Sequence, residues 1–484
     1  MMVARAMSAS SSRSLLAFTV AGALASSGVV LAGGRVGPVR GTTPVSYWFG
    51  LLSPVPVRPI ENPLPGLLLV AFIVALGLVW VFAVRRCASW SLKALWGMGA
   101  CWLAPLAFGP PLLSDDLASY VAQGHLSLRD LSPYLNVPAD LGASATLAAV
   151  DPLWRNVHSP YGPVITLIEH IAAYASGGSP LGTAVLLRLV GLASIVAVGL
   201  LASQLAPPHW RRSALMLTVL NPLLLLHVGS AGHLDAIVCA LALATMLAVR
   251  RGHLSVALVL ACTAGLTKAP GFAVLAVVIV LIWQRAPAVR RGRVLARALA
   301  VVAATTLGLS ALVTDGWGWL VQLGTPTLGF TPDAPATAVA LALHPVLVWT
   351  HLMTASSVAF ACRVIMMGIG AVLIGHLLRT SRRREPIRTV GLILLAVAVL
   401  SPVIYPWYLL WGVICLAVCT GDRLRGLLVA LSFIGSLMAV QGLTNAGIAV
   451  LACILFLVAV SATIWFARGR RQPSQLPQRV LVAA

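Results

Sequence analysis

The chain has 484 residues, 59% of them apolar and only 9% charged, with a mean hydropathy of +0.96. That balance excludes an ordinary soluble enzyme and points to a polytopic, all-α integral membrane protein. The formal charge of +21 does not imply nucleic acid, because the basic residues sit in short runs between apolar segments, as cytoplasmic loops do. Examples are Arg211-Arg212, Arg250-Arg251, Arg382-Arg383-Arg384 and Arg470-Arg471.

In chain order, apolar windows predict helices over 14–33, 65–84, 94–110, 181–205, 213–230, 234–249, 253–267, 270–284, 294–313, 352–378, 389–404, 406–420, 424–441 and 445–467. About 13–14 spans are therefore expected in a single membrane domain. The first window contains Ala23-Leu24-Ala25, which resembles a signal-peptidase site, but its apolar run continues to about residue 33 and suits a retained helix better. Placing both termini in the cytoplasm puts most Lys and Arg there too, in a plasma membrane. Two regions, 111–180 and 314–351, then become the main non-cytoplasmic loops. Within the first, 162–176 is apolar, yet counting it as a span would send Arg211 and Arg250 outside. A helix lying in the interface or re-entering from outside avoids that, and the interfacial reading is preferred. The eight cysteines lie mostly inside apolar segments, so no disulfide framework follows, and Cys415 and Cys419 have no neighbouring metal ligands.

Six of the twelve carboxylates fall between Asp115 and Glu169, although an ion near lipid is costly. Asp115 and Asp116 are adjacent, directly after an apolar stretch. A carboxylate there can act as general base on a sugar hydroxyl or help to hold a divalent cation. It can equally open a helix, with Ser114 or Asp115 as cap. Tyr120 and Gln123 share a helical face with Asp116. His158-Ser159-Pro160-Tyr161-Gly162-Pro163 forms a rigid turn able to present His158 or Tyr161. After Asn221-Pro222, His233 and Asp235 stand where they could bind phosphate or orient hydroxyls, or merely satisfy a loop. Lys268 lies at a helix break on the non-cytoplasmic side, where an ammonium can neutralise a phosphate leaving group or snorkel to a headgroup. Tyr405 and Trp407 form an aromatic break on that same side. Walker A, dinucleotide-fingerprint and zinc spacings are not found in the sequence.

These segments resemble the actinobacterial polyprenyl-phosphomannose-dependent α-(1→6)-mannosyltransferases of the GT-C superfamily, which extend the lipomannan core. The resemblance rests on Ser114-Asp115-Asp116-Leu117-Ala118-Ser119-Tyr120, Ser159-Pro160-Tyr161-Gly162-Pro163, Asn221-Pro222, Gly232-His233-Leu234-Asp235, the Lys268 loop and Pro406-Trp407-Tyr408-Leu409-Leu410-Trp411. Asp116 matches the family carboxylate, whereas Asp115 replaces an arginine, Ala118 a tyrosine and Leu234 an asparagine. The resemblance implies a polyprenyl-phosphate sugar donor in the membrane lipid, a mannan or lipomannan glycolipid acceptor, and inversion by single displacement. Asp116 would be the base. Lys268, His233 and, more remotely, Arg363 would meet the departing phosphate. The resemblance assigns no cofactor, and a divalent cation at Asp115-Asp116 stays open. A transferase using polyprenyl-phosphoarabinose is the alternative within the class. A lipid transporter is the alternative outside it, but its ionisable groups would sit near the bilayer midplane rather than in a loop.

The orientation can be checked directly. Cysteines introduced beside Asp116, Tyr161, Lys268 and Tyr405, in a chain without its native cysteines, should react with an impermeant thiol reagent in intact cells. Labelling only after lysis would reverse the topology.

Overall fold

The computed structural model describes residues 2–36, 64–328, 334–349 and 354–438. Among them the secondary structure is helical throughout, without strands. Five helices are long and apolar enough to cross a membrane alone: Ser12–Val36, Leu64–Ser89, Pro180–Leu205, Ala288–Ser310 and Ala355–Arg379. A bent pair makes a sixth, and seven further apolar helices are shorter. The expected 13–14 spans are therefore reached only by counting short helices as crossing segments. The helix expected over 445–467 lies outside the described residues.

The N-terminal helix packs on Leu64–Arg86 and Leu92–Phe108. Trp102 on the last of these donates its indole N–H to the Phe18 and Thr19 carbonyls, both at 3.2 Å. The apolar segment over 162–176 forms the helix Pro163–Ala175, which packs along Asp116–Leu128, and both also pack on Pro180–Leu205. Their contact is close because Gly124 has no side chain: a Cβ there would press against the Glu169 carbonyl. Part of 314–351 is helical as well, as a 3₁₀ run Gly318–Leu328 and the helix Pro335–Trp349.

The window 213–230 is not one helix. Arg211–Leu217 stops, and the chain restarts at Pro222 with a bend of 41°. Asn221 dictates the break: its side chain accepts from the Leu223 N–H at 3.0 Å and donates to the Leu217 carbonyl at 3.1 Å and the Ser432 hydroxyl at 2.8 Å. Pro222, at the first helical position, has no N–H to lose. The restarted helix widens into a π-turn, Leu225–Ser230, which carries His227 toward the centre.

Four helices, the first three consecutive, share one polarity. Asp235–Arg250 runs from a site residue to a basic run, Leu254–Thr267 runs back to Lys268, Phe272–Arg285 leaves again, and Pro386–Leu400 returns from Arg384 to Ser401. The breaks that bear functional groups thus gather at one end and the arginines at the other.

Arg188, fully buried in Pro180–Leu205, ties two of those breaks together. Its guanidinium donates to the carbonyls of Leu106 at 2.6 Å, Gly109 at 2.9 Å and Gly229 at 3.0 Å. These are terminal carbonyls of the helix before Asp116 and the π-turn before His233, which have no intrahelical donor of their own. Arg188→Met should lower stability by about 3 kcal/mol or more, since each hydrogen bond to a charged group contributes about 1.5–3 kcal/mol. Thermal unfolding in detergent measures this. Unchanged melting would show that the carbonyls find other donors.

Candidate active site

The turn Gly109–Asp115 redirects the chain into Asp116–Leu128, and Leu113 takes φ of 71° to do so. A branched side chain in that region costs about 1–3 kcal/mol, which the surrounding packing must hold in place. The Ser114 hydroxyl accepts from the Asp116 N–H at 3.2 Å, and Asp115 makes no capping bond at the position where one was considered. Asp116 opens the helix with its carboxylate facing a cleft.

The turn at 158–163 reaches the same cleft by packing on the Lys268 break. Gly162 donates its N–H to the Thr267 carbonyl at 3.2 Å, and a Cβ at Gly162 would collide with the Leu266 carbonyl. Only glycine lets these two backbones approach so closely. Ser159 donates to the Gln123 side-chain oxygen at 2.9 Å, and the Tyr161 hydroxyl meets that of Tyr120 at 3.4 Å. The turn is thereby fixed to the Asp116 helix.

Lys268 follows Leu254–Thr267 in extended conformation. Its ammonium donates to Asp235 Oδ1 at 2.9 Å, and the Trp411 indole donates to the same oxygen at 2.7 Å. Three rings surround the ammonium, those of Tyr408, Trp411 and Tyr161, at 4.8, 5.3 and 5.4 Å from their centroids. Ring faces attract a cation, so the lysine is held by charge on one side and by quadrupoles around it. It keeps 13% of its exposure.

His233 lies fully buried, its Nδ1 3.5 Å from Asp116 Oδ2. Its ring stacks on Trp407 with centroids 3.7 Å apart, and Trp407 stacks on Tyr405 at 4.8 Å. His227 closes this column behind Trp407 at 5.3 Å. Burial pushes the Asp116 carboxyl up to about 7; Lys268 opposes that rise, whereas Asp235 and Asp115 add to it. Burial also raises the Tyr161 hydroxyl well above its usual range, with Tyr120 and Asp116 contributing, so it stays a neutral donor.

The cleft encloses about 1140 Å³ of empty space including its open mouth. Asp116, Gln123, His158, Tyr161, Lys268, Tyr405 and Trp407 line it. Asp235 and Tyr120 stand just behind, on a small apolar crevice that shares Tyr161 and Lys268 with the cleft. His233 contributes through Asp116 and Trp407. Two expected residues are not brought in. Asp115 does not line the cleft, and among the described residues no group of three or more His, Cys, Asp or Glu is placed to hold a metal ion. Arg363 sits on Ala355–Arg379 beside Cys362, in the small cluster with Ala340 and Val358, away from the lining.

Ser119, Trp154, Tyr408 and Trp411 line the cleft without having been singled out as site residues. Tyr408 and Trp411 carried a usable signal: their spacing of three in a helix puts both on one face. Trp154 carried none, since its place depends on the fold of the loop around it.

Two family models match the chain: an α-(1→6)-mannopyranosyltransferase N-terminal domain over residues 19–285 and an MptB C-terminal domain over residues 332–468. α-(1→6)-Mannopyranosyltransferase A of Mycobacterium tuberculosis is 30% identical over 324 residues, 64% of this chain and 62% of its own length. α-(1→6)-Mannopyranosyltransferase B of Corynebacterium glutamicum is 28% identical over 396 residues, 73% of this chain and 64% of its own. The chain thus spans less than two thirds of these relatives. No solved structure matches.

The Asp235 contacts generate a test by mutant cycle. Asp235→Asn leaves a mostly buried ammonium without its counter-charge and should cost about 3 kcal/mol of stability. Adding Lys268→Met should restore part of that loss, since the orphaned charge is gone. Additive losses in thermal unfolding would mean the pair is not coupled.

Proposed function

Since the chain belongs to the α-(1→6)-mannopyranosyltransferase family, we propose that it is an inverting GT-C mannosyltransferase. Its donor is polyprenyl phosphomannose, and its acceptor is an α-(1→6)-mannan or lipomannan glycolipid. The observation that carries this reading is the shared cleft, in which a carboxylate and an ammonium face one space across aromatic walls. The first is suited to accept a proton and the second to receive a phosphate.

The acceptor hydroxyl gives its proton to Asp116 as its oxygen attacks the anomeric carbon. The bond from that carbon to the phosphate oxygen breaks, and the electron pair leaves with polyprenyl phosphate. Lys268 meets the charge that grows on the leaving phosphate, so the barrier falls by stabilisation that is greatest after bond cleavage begins. Phosphate is a good leaving group and needs no general acid. His233 keeps the Asp116 carboxylate oriented, and the Tyr405–Trp407 face supports the apolar side of a sugar ring or the first isoprene units.

The cleft opens on the non-cytoplasmic side in this reading, within the loops 111–180 and 314–351, and the termini are cytoplasmic. Support comes from the four helices that pair a site-proximal residue at one end with arginines at the other.

The test is incubation of the purified protein with synthetic polyprenyl phosphomannose and short α-(1→6)-mannosides, followed by linkage analysis. Asp116→Asn should lower the rate about 10²–10⁴-fold, the scale of general-base catalysis, while Asp115→Asn should act more mildly. A base works only as carboxylate, and Asp116 sits at about 7, so kcat/KM should rise with pH through about 7 and level off above it. Full activity in Asp116→Asn would remove the base assignment, and transfer of arabinose alone would change the donor.

A further inference from the structure

A second cavity lies at the other end of the helix that brings Val397 and Ser401 to the cleft. Pro386–Leu400 spans 15 residues, so roughly 22 Å at 1.5 Å per residue separate the two sites. Arg383, Arg384, Glu385, Arg388, Leu392, Cys419 and Thr420 line this cavity, which holds about 730 Å³ of empty space including its mouth. Three arginines and one glutamate leave a local excess of positive charge. Among the described residues Glu385 forms no ion pair with any of them.

The walls are built rather than loose. Arg384 donates to the Thr380 hydroxyl at 2.5 Å, and Arg382 donates to the Gln284 carbonyl at 3.0 Å. The Gln284 amide also donates to Ser381 at 3.2 Å, so the turn between helices is fastened to the end of Phe272–Arg285. Glu385 stands at the cap position of Pro386–Leu400 without a capping hydrogen bond, leaving the positive end of that helix without a side-chain acceptor. Leu392 and buried Cys419 give the cavity an apolar wall beneath its charged rim.

We propose that this cavity binds the phosphate group of an anionic phospholipid in the leaflet opposite the cleft. Guanidinium forks match phosphate oxygens in geometry and charge, and the apolar wall suits the glycerol and first acyl carbons. The lipid source is favoured over a free anion by position. The rim stands at a helix end beside Ala355–Arg379, whose Phe360, Ile369 and Val372 are 70%, 50% and 76% exposed, as a lipid-facing helix requires. This site does not depend on the identity of the transferred sugar. Occupancy would brace the ends of two helices whose far ends carry Ser401 and Trp411.

The experiment measures thermal unfolding of the full chain in detergent with added phosphatidylglycerol, phosphatidylcholine or inorganic phosphate. Phosphatidylglycerol should raise Tm, with phosphatidylcholine and inorganic phosphate giving little at matched concentration. Arg383 and Arg388 are exposed, so Arg383→Gln/Arg388→Gln should melt normally without lipid yet bind phosphatidylglycerol about thirtyfold more weakly, at about 1 kcal/mol per arginine. Arg379→Gln, outside the cavity, should respond as the native chain does. Equal responses to both lipids, an unchanged response in the double variant, or an equal loss in Arg379→Gln would each overturn the site. A phosphate response matching that of phosphatidylglycerol would overturn the lipid source.

Discussion

One carboxylate oxygen holds the reactive end of the bundle together. Asp235 Oδ1 takes hydrogen bonds from both Lys268 and Trp411, which arrive from two different helix ends. Burying a carboxylate is costly unless donors take the place of its water, and Asp235, 2% exposed, receives these two in place of solvent. Lys268 in turn gains a counter-charge within an aromatic wall. The pair fixes where Asp235–Arg250 starts, where Leu254–Thr267 stops and how Leu409–Ala417 is rotated. It also leaves the lysine with hydrogens to spare, since an ammonium has three and this contact uses one.

From that anchor the cleft follows as a set of helix breaks pressed against each other. The glycine at 162 lets the Tyr161 turn lie on the 266–268 backbone, and Tyr161 then closes one side of the ammonium. Trp407, stacked on His233, brings the aromatic break against the imidazole that touches Asp116. Breaking helix regularity costs local hydrogen bonds, and at the breaks near Gly109, Asn221 and Gly229 the side chains of Arg188 and Asn221 supply them. A membrane bundle has few other ways to present polar chemistry, because a regular helix satisfies its own backbone and offers only its side chains.

The order and general position of the breaks were legible in the sequence, because Pro, Gly and isolated charge interrupt long apolar runs visibly. The helix over 162–176 was legible too, as an apolar run opened by Gly162-Pro163, and it runs Pro163–Ala175 beside the Asp116 helix. The partners across the bundle were not. Hydropathy marks where a segment turns but does not give its rotation, so the bond from Trp411 to Asp235 could not be read from it, and Arg363 stayed a remote candidate although its helix keeps it away from the cleft. Arg188 illustrates the same gap, since its three carbonyl partners come from segments about 80 and 40 positions away. The helix Pro335–Trp349 was hidden by Pro345, which reads as a breaker but is accommodated within it.

The two adjacent aspartates show how much a single helical position decides. Asp116 is the first residue of its helix and faces the cleft, where burial raises its pKa toward neutrality and His233 Nδ1 lies 3.5 Å from its Oδ2. Asp115 occupies the preceding, non-helical position and turns away from the lining. Its charge still acts on its neighbour, because like charges disfavour a second ionisation and so lift the pKa of Asp116. Lys268 pulls the other way. The Asp116 carboxyl is therefore set by burial and by opposed charges around it, and its basicity depends on how rigidly the helices carrying them are kept in place. That dependence makes Arg188, Asp235 and Trp411 part of the same chemical arrangement as the carboxylate they never replace.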